Sequence, residues 1–322
     1  MRYRKIGKWG VKVSEVSIGS WLTYGGHVDE QNSIEQMLYA YELGINFIDT
    51  ANVYALGKSE EVVGKALKSL RRDSIVLATK CFFEMADGPN DRGLSRKHVT
   101  EQCNASLRRM ATDYIDLYQC HRYDPGTPME ELVMTMDILT RQGKILYWGV
   151  SEWPAEKIQE ACDLANKMHA PPPISNQPCY NMFARNIEKE IIPVSEKVGM
   201  GQVVFSPLAQ GALTGKYKPG QPHPEGSRAS REKEGYWLRG DLLSDETLEK
   251  VESLSAIAAE MNMSIAQLAL AWCLRTQSVS SVIIGATSKK QIEENCKASG
   301  TPIPTAQLNK IERILSGTPI RH

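Results

Sequence analysis

Charge of one sign has no surplus in this 322-residue chain: Lys and Arg total 38, and so do Asp and Glu. No basic or acidic block is set apart along it, so the electrostatic footprint that nucleic acid or an anionic membrane requires is missing. Long apolar runs are missing too; the uninterrupted ones reach only a handful of residues, against the roughly 18 that cross a bilayer. Direct membrane insertion is therefore not expected. The basic opening Met1–Lys8 leads into no apolar stretch, so it does not read as a secretory signal, and the expected location is cytoplasmic. The seven cysteines, at 81, 103, 120, 162, 179, 273 and 296, show no Cys-x-x-Cys and no Cys/His ligand spacing. Neither a disulfide framework nor a metal site is expected.

What is present is a repeat of strand and helix signals. Short β-branched and aromatic runs occur at Val16–Ile18, Asn46–Asp49, Ser74–Lys80, Tyr114–Gln119, Leu146–Val150, Ile174–Gln177, Gln202–Phe205 and Ser281–Gly285. Between most of them lie helical patterns with start signals: Ser95 before Arg96–Met110, Pro128 before Met129–Arg141, Pro154 before Ala155–Ala165. Most strand centres are about 30 residues apart, the length of one βα unit. Eight such units predict an α/β fold of the (β/α)8 TIM-barrel type, one domain over residues 1–322. An open doubly wound sheet is the alternative, but Gly19–Gly26 after the first strand does not fit the Gly-x-Gly-x-x-Gly turn. Arg2–Val13 reads as an N-terminal β-hairpin plugging the bottom of the barrel. The Pro/Gly-rich Lys218–Arg228 stretch reads as a long loop after the seventh strand, and Pro304–Leu315 as an extra C-terminal helix.

In such a barrel the chemistry lies at the C-terminal ends of the strands, and there the residues are polar. Strand two ends at Asp49, three at Lys80, four at His121, five at Ser151, six at Asn176 and Gln177, seven at Ser206. Each has a plainer explanation alone: Asp49 as a turn or cap residue, His121 as a satisfied core histidine, Tyr54 as loop packing, Asp49–Lys80 as a structural ion pair. Together they converge on one face. A tyrosine beside a lysine that is held by an aspartate is an acid–base device, the cation being expected to lower the phenol pKa from about 10. A neutral histidine beside the same hydroxyl can donate to a carbonyl oxygen as charge develops on it. This set suits carbonyl reduction.

Gly44–Tyr54, Leu77–Lys80 and Gln119–Arg122 resemble the Asp, Tyr, Lys and His tetrad segments of the aldo-keto reductases. Arg92–His98, Pro125–Glu131, Tyr147–Gly149 and Phe205–Ala209 are similar to the branch that contains the voltage-gated potassium-channel β subunits and their bacterial relatives. The resemblance implies NADPH/NADP+ as cofactor, Tyr54 as general acid, Lys80 as its modulator, Asp49 as the lysine's anchor, and His121 as the group orienting the substrate. It further implies that Ser151 and Gln177 hold the nicotinamide carboxamide. Ser20, Trp21, Phe205, Ser206, Pro207, Leu208, Ala209, Gly211 and Lys216 would line the rest of the nicotinamide and pyrophosphate path. Arg228 would meet the 2′-phosphate, and Gly285, Thr287, Gln291, Glu294 and Asn295 the adenosine. The helix opening near Ser288 offers N–H groups to phosphate. A substrate mouth of Trp21, Tyr24, Tyr54, Phe82, Phe83 and His121 suits a small-molecule carbonyl with apolar character. A homo-oligomer, tetramer or octamer, is also implied, and a channel is a candidate partner. Mammalian members of the branch commonly carry Asn at the position of His121 and an extended N-terminal inactivating segment, so a free-standing reductase is the leading expectation.

Two other motifs compete. Gly211–Tyr217 has the look of an ATP-binding P-loop but is one residue short and carries Tyr where Ser or Thr must bind Mg²⁺. Lys80 also suits the Schiff-base lysine of a barrel aldolase, a reading that the adenosine-site segment opposes. Cys81 and Cys120 adjoin catalytic candidates, but strand alternation turns both away from the barrel interior.

Overall fold

A computed structural model describes residues 1–21, 29–230 and 241–316. The chain opens as an antiparallel hairpin of β1 (Tyr3–Lys5) and β2 (Lys12–Ser14), with Tyr3 opposite Ser14. Then β3 (Val16–Gly19), β4 (Phe47–Asp49), β5 (Val76–Cys81), β6 (Ile115–Cys120), β7 (Ile145–Val150), β8 (Ser175–Asn176), β9 (Gly201–Val204) and β10 (Val279–Ile284) close into one parallel barrel, β10 pairing back onto β3. This is the eight-fold α/β barrel, with the hairpin, that the strand spacing predicts.

Alternation along the strands sorts side chains into two layers. Phe47, Ala78, Leu117, Val203 and Ile283 face one another inside the barrel, whereas Ile48, Leu77, Tyr118, Val204 and Ile284 pack against the surrounding helices. Ile6 and Val13 of the hairpin, with Trp9 and Val11, join the inner group and so floor the barrel. The hairpin comes very close to do this: a Cβ on Gly7, whose φ is +56°, would lie 2.3 Å from the Gly199 carbonyl.

Ten α-helices are described around the barrel. They are α1 (Glu30–Glu42), α2 (Lys58–Leu67), α3 (Arg96–Met110), α4 (Met129–Arg141), α5 (Ala155–Lys167), α6 (Ile191–Val198), α7 (Asp245–Glu260), α8 (Ile265–Cys273), α9 (Lys289–Cys296) and α10 (Thr305–Leu315). Their starts follow the sequence signals. Ser95 Oγ accepts from the His98 N–H at the head of α3, and Pro128, Pro154 and Pro304 directly precede α4, α5 and α10. No single described helix is long and apolar enough to cross a membrane.

One strand is shorter than the sequence suggests. Ile174–Gln177 reads as four residues, but only Ser175 and Asn176 pair as β8. Pro171, Pro172 and Pro173 on one side and Pro178 on the other have no N–H to donate to a ladder. Gln177 still donates its N–H to the Val150 carbonyl at 2.8 Å and stays buried at the end of the strand.

Candidate active site

Strand register builds the centre of the site. Asp49, the last residue of β4, pairs with Ala78, and Lys80 stands one pleat beyond Ala78 on the same inner face of β5. Lys80 Nζ therefore reaches Asp49 Oδ2 at 2.6 Å, donates to the Thr50 carbonyl at 2.8 Å, and meets the Tyr54 hydroxyl at 3.3 Å. Three partners use the three protons of the ammonium. Lys80 is wholly buried and Asp49 is 3% exposed, so neither charge has water to fall back on. The other carboxylate oxygen, Asp49 Oδ1, accepts from Gln177 Nε2 at 2.9 Å and Gln119 Nε2 at 3.3 Å.

Tyr54 is delivered by a strained turn. Ala55 (φ +48°), Leu56 (φ +50°) and Gly57 (φ +92°) are successive left-handed residues, costing roughly 1–2 kcal/mol at each non-glycine position. Beneath them Arg109 Nε is held at 2.6 Å by the buried Glu60, which also accepts from Thr79, the neighbour of Lys80. A Cβ at Gly57 would lie 2.6 Å from Arg109 Cδ, so a glycine is required there by space as well as by φ. The turn that aims Tyr54 is thus tied to the strand that carries Lys80.

His121 follows β6 and completes the group. Its ring stands edge-on to Tyr54, centroids 5.8 Å apart, and to Phe83 at 4.9 Å, while Phe82 stacks edge-on to Phe83 at 5.2 Å. Burial, reinforced by the positive charges of Lys80 and Arg122, holds the His121 pKa well below the usual imidazole value. The ring is neutral at neutral pH, as the sequence reading expects, and its buried Nδ1 has no hydrogen-bond partner among the described residues.

Tyr54 departs from the sequence argument. Lys80 does pull the phenol down, but burial of the hydroxyl outweighs it and the Asp49 charge adds to burial, so the pKa is raised. The residue as a whole keeps partial exposure. A raised pKa keeps Tyr54 protonated, the state a proton donor needs. For Lys80, burial works against the charge, yet Asp49 and Tyr54 together hold its pKa above the ordinary value.

The residues expected to touch a dinucleotide lie at the C-terminal ends of the strands and in the loops and helix that follow them. Ser151 follows β7 and donates to the Gln177 carbonyl at 2.8 Å. Ser20, after β3, donates through its hydroxyl to Thr50 at 2.8 Å, and Trp21 is next to it, with the Arg228 guanidinium 5.8 Å over its ring. Phe205 pairs with Cys179 in a lone bridge and packs on the inner group of the barrel from the C-terminal end of β9. Past it, Ser206, Ala209, Gln210 and Gly211 all have positive φ, with Pro207 and Leu208 between them, and the tight turn closes on itself: the Ala209 N–H donates to the Ser206 carbonyl at 2.9 Å and the Gly211 N–H to the Leu208 carbonyl at 2.9 Å. A Cβ on Gly211 would be 3.2 Å from Lys216 Nζ, so the glycine makes room for the ammonium. Arg228 donates to the Gln210 side chain. Gly285 and Thr287 follow β10, and the Thr287 N–H meets Gln291 Oε1 at 2.9 Å at the head of α9, which also carries Glu294 and Asn295. Of these, Lys216 and Arg228 carry the positive charge that a phosphate-bearing dinucleotide would need. Tyr24, expected at the substrate mouth, lies outside the described residues.

A surface hollow lies elsewhere: Asn90, Ser95, Arg96, Glu131 and Met134 line it on the flank between α3 and α4. Converging polar groups, rather than hollow size, locate the chemistry. Among the described residues no three His, Cys, Asp or Glu side chains are grouped to hold a metal ion.

Residues 15–316 match the model of the aldo/keto reductase family. The chain belongs to the aldo/keto reductase family. Among its relatives in that family are proteins from Oryza sativa subsp. japonica and Arabidopsis thaliana named as probable voltage-gated potassium channel subunits beta. They are 43% and 44% identical over 326 and 329 aligned positions, covering 100% of this chain and 98% of each relative. A Schizosaccharomyces pombe relative with a channel-subunit-beta name is 42% identical over 99% of the chain and 94% of its own length.

Sequence reasoning missed several members of the site. Gln119 sits two residues before His121 and two after Leu117, so period-two alternation places all three on the inner face. Glu60 and Arg109 carry no comparable signal, because each lies inside an ordinary charged helix pattern. Cys81 and Cys120 are buried on the helix side of the sheet, where burial pushes the Cys81 thiol up to about 12, a poor setting for oxidation.

Proposed function

We propose that the protein reduces aldehydes and ketones to alcohols using NADPH, with Tyr54 as the proton donor. The observation that carries this is the single buried ammonium of Lys80 touching both Asp49 Oδ2, at 2.6 Å, and the Tyr54 hydroxyl, at 3.3 Å. Bound NADPH supplies a hydride to the carbonyl carbon. Tyr54 and neutral His121 direct O–H and N–H bonds to the carbonyl oxygen, steadying the charge that develops there. The Tyr54 proton passes to that oxygen, completing the alcohol, and Lys80 stabilises the phenolate until solvent returns a proton. Asp49 keeps Lys80 in place throughout. Ser151 and Gln177 are the groups for the nicotinamide carboxamide, which requires Gln177 Nε2 to leave Asp49, with Gln119 remaining on Oδ1. Lys216 and the head of α9 suit the pyrophosphate, and Arg228 the 2′-phosphate.

A second reading is a cofactor-sensing regulatory subunit of a potassium channel with little turnover, favoured by the names of the relatives. Following NADPH oxidation across aldehydes, ketones and dicarbonyls separates the two. Turnover well above background supports the reductase; cofactor binding without turnover, together with co-purification of a channel, supports the subunit.

A further inference from the structure

Arg122 follows His121 and stands at the mouth without an acidic partner. Its Nη1 donates to the His121 carbonyl at 2.5 Å and its guanidinium lies 5.5 Å from the Phe83 ring centre. Among the described residues no carboxylate is within ion-pair distance of it. The neighbouring cations are different: Lys80 is engaged by Asp49 at 2.6 Å, and Arg92 by Glu84 at 2.9 Å. Arg122 is only partly buried, so it keeps access to solvent beside His121 and Phe83. Its charge is felt by both reacting groups, Tyr54 and His121. A guanidinium does not deprotonate in a protein, and its planar donors match a carboxylate two bonds at a time.

We propose that the preferred substrates are carbonyl compounds that also carry a carboxylate. Arg122 holds the acid group while Tyr54 and His121 meet the carbonyl oxygen, and Phe82 and Phe83 flank the apolar body between. This substrate class rests on the reductase reading given above.

The test compares ortho, meta and para carboxybenzaldehydes with the corresponding carboxamides and methyl esters, in wild type, Arg122→Met and Arg122→Lys. For at least one isomer, wild type is expected to show kcat/KM for the carboxylate about 10- to 100-fold above the amide, mainly through KM, the size of one charge-assisted contact. Added salt narrows that ratio, Arg122→Met abolishes it, and Arg122→Lys restores part of it. A wild-type ratio near unity for every isomer overturns the proposal without recourse to any variant, as does an unchanged ratio in a folded, NADPH-binding Arg122→Met protein. Failure to reduce any of the aldehydes, neutral ones included, overturns the reductase reading itself and the substrate class with it.

Discussion

Lys80 and Asp49 meet at 2.6 Å in the barrel interior, both side chains buried. The pair is a structural commitment as well as a chemical one. Removing Lys80 alone leaves a carboxylate in the interior with only two amides for company. Lys80→Met is therefore expected to lower unfolding stability by about 3–5 kcal/mol, and Asp49→Asn combined with Lys80→Met to recover much of it. Urea unfolding curves of the two variants check this. Equal losses in both would show that the ion pair is not the issue.

His121 makes stability fall in acid. Its pKa is depressed by burial and by Lys80 and Arg122, so the unfolded chain binds a proton in a range where the folded protein does not. Where the unfolded state holds more protons, stability drops as pH falls, so its contribution is intact above about 6.5 and is lost progressively below. His98, also lowered by burial, acts in the same direction. Thermal melts at about pH 7.5 and 5.5 should show a smaller acid loss in His121→Asn than in wild type. An identical loss would contradict the assignment.

Arg228 is expected to set cofactor choice. In the structure it is engaged by Gln210 and lies over Trp21, the neighbour of Ser20, close to the loops expected to hold phosphate. Arg228→Ala should weaken NADPH about 10- to 100-fold, the range of a charge-assisted contact, and NADH far less. Fluorescence titration with both cofactors reads the difference, and equal weakening would remove the 2′-phosphate role.

Much of this was legible in the residues. The strands announced themselves through β-branched runs at regular spacing, and α3 and α4 begin and end where Ser95, Pro128 and the apolar periodicity say. Asp49, Lys80 and His121 were readable because a barrel strand that ends on a charge needs a reason. The turn behind Tyr54 was not, since Ala55 and Leu56 carry no signal of left-handed backbone and only Gly57 hints at it. Gln119 was hidden by being read as the end of an apolar run. The direction of the Tyr54 pKa was misjudged because composition shows the neighbouring cation and not the depth of burial.

The account stands most directly on Tyr54. NADPH oxidation with a good carbonyl substrate should fall by about a hundredfold to ten-thousandfold in Tyr54→Phe, while the NADPH dissociation constant, measured by fluorescence on the same preparation, stays within a few fold. A Tyr54→Phe protein that turns over at near wild-type rate would contradict the proton-donor role and the mechanism built on it.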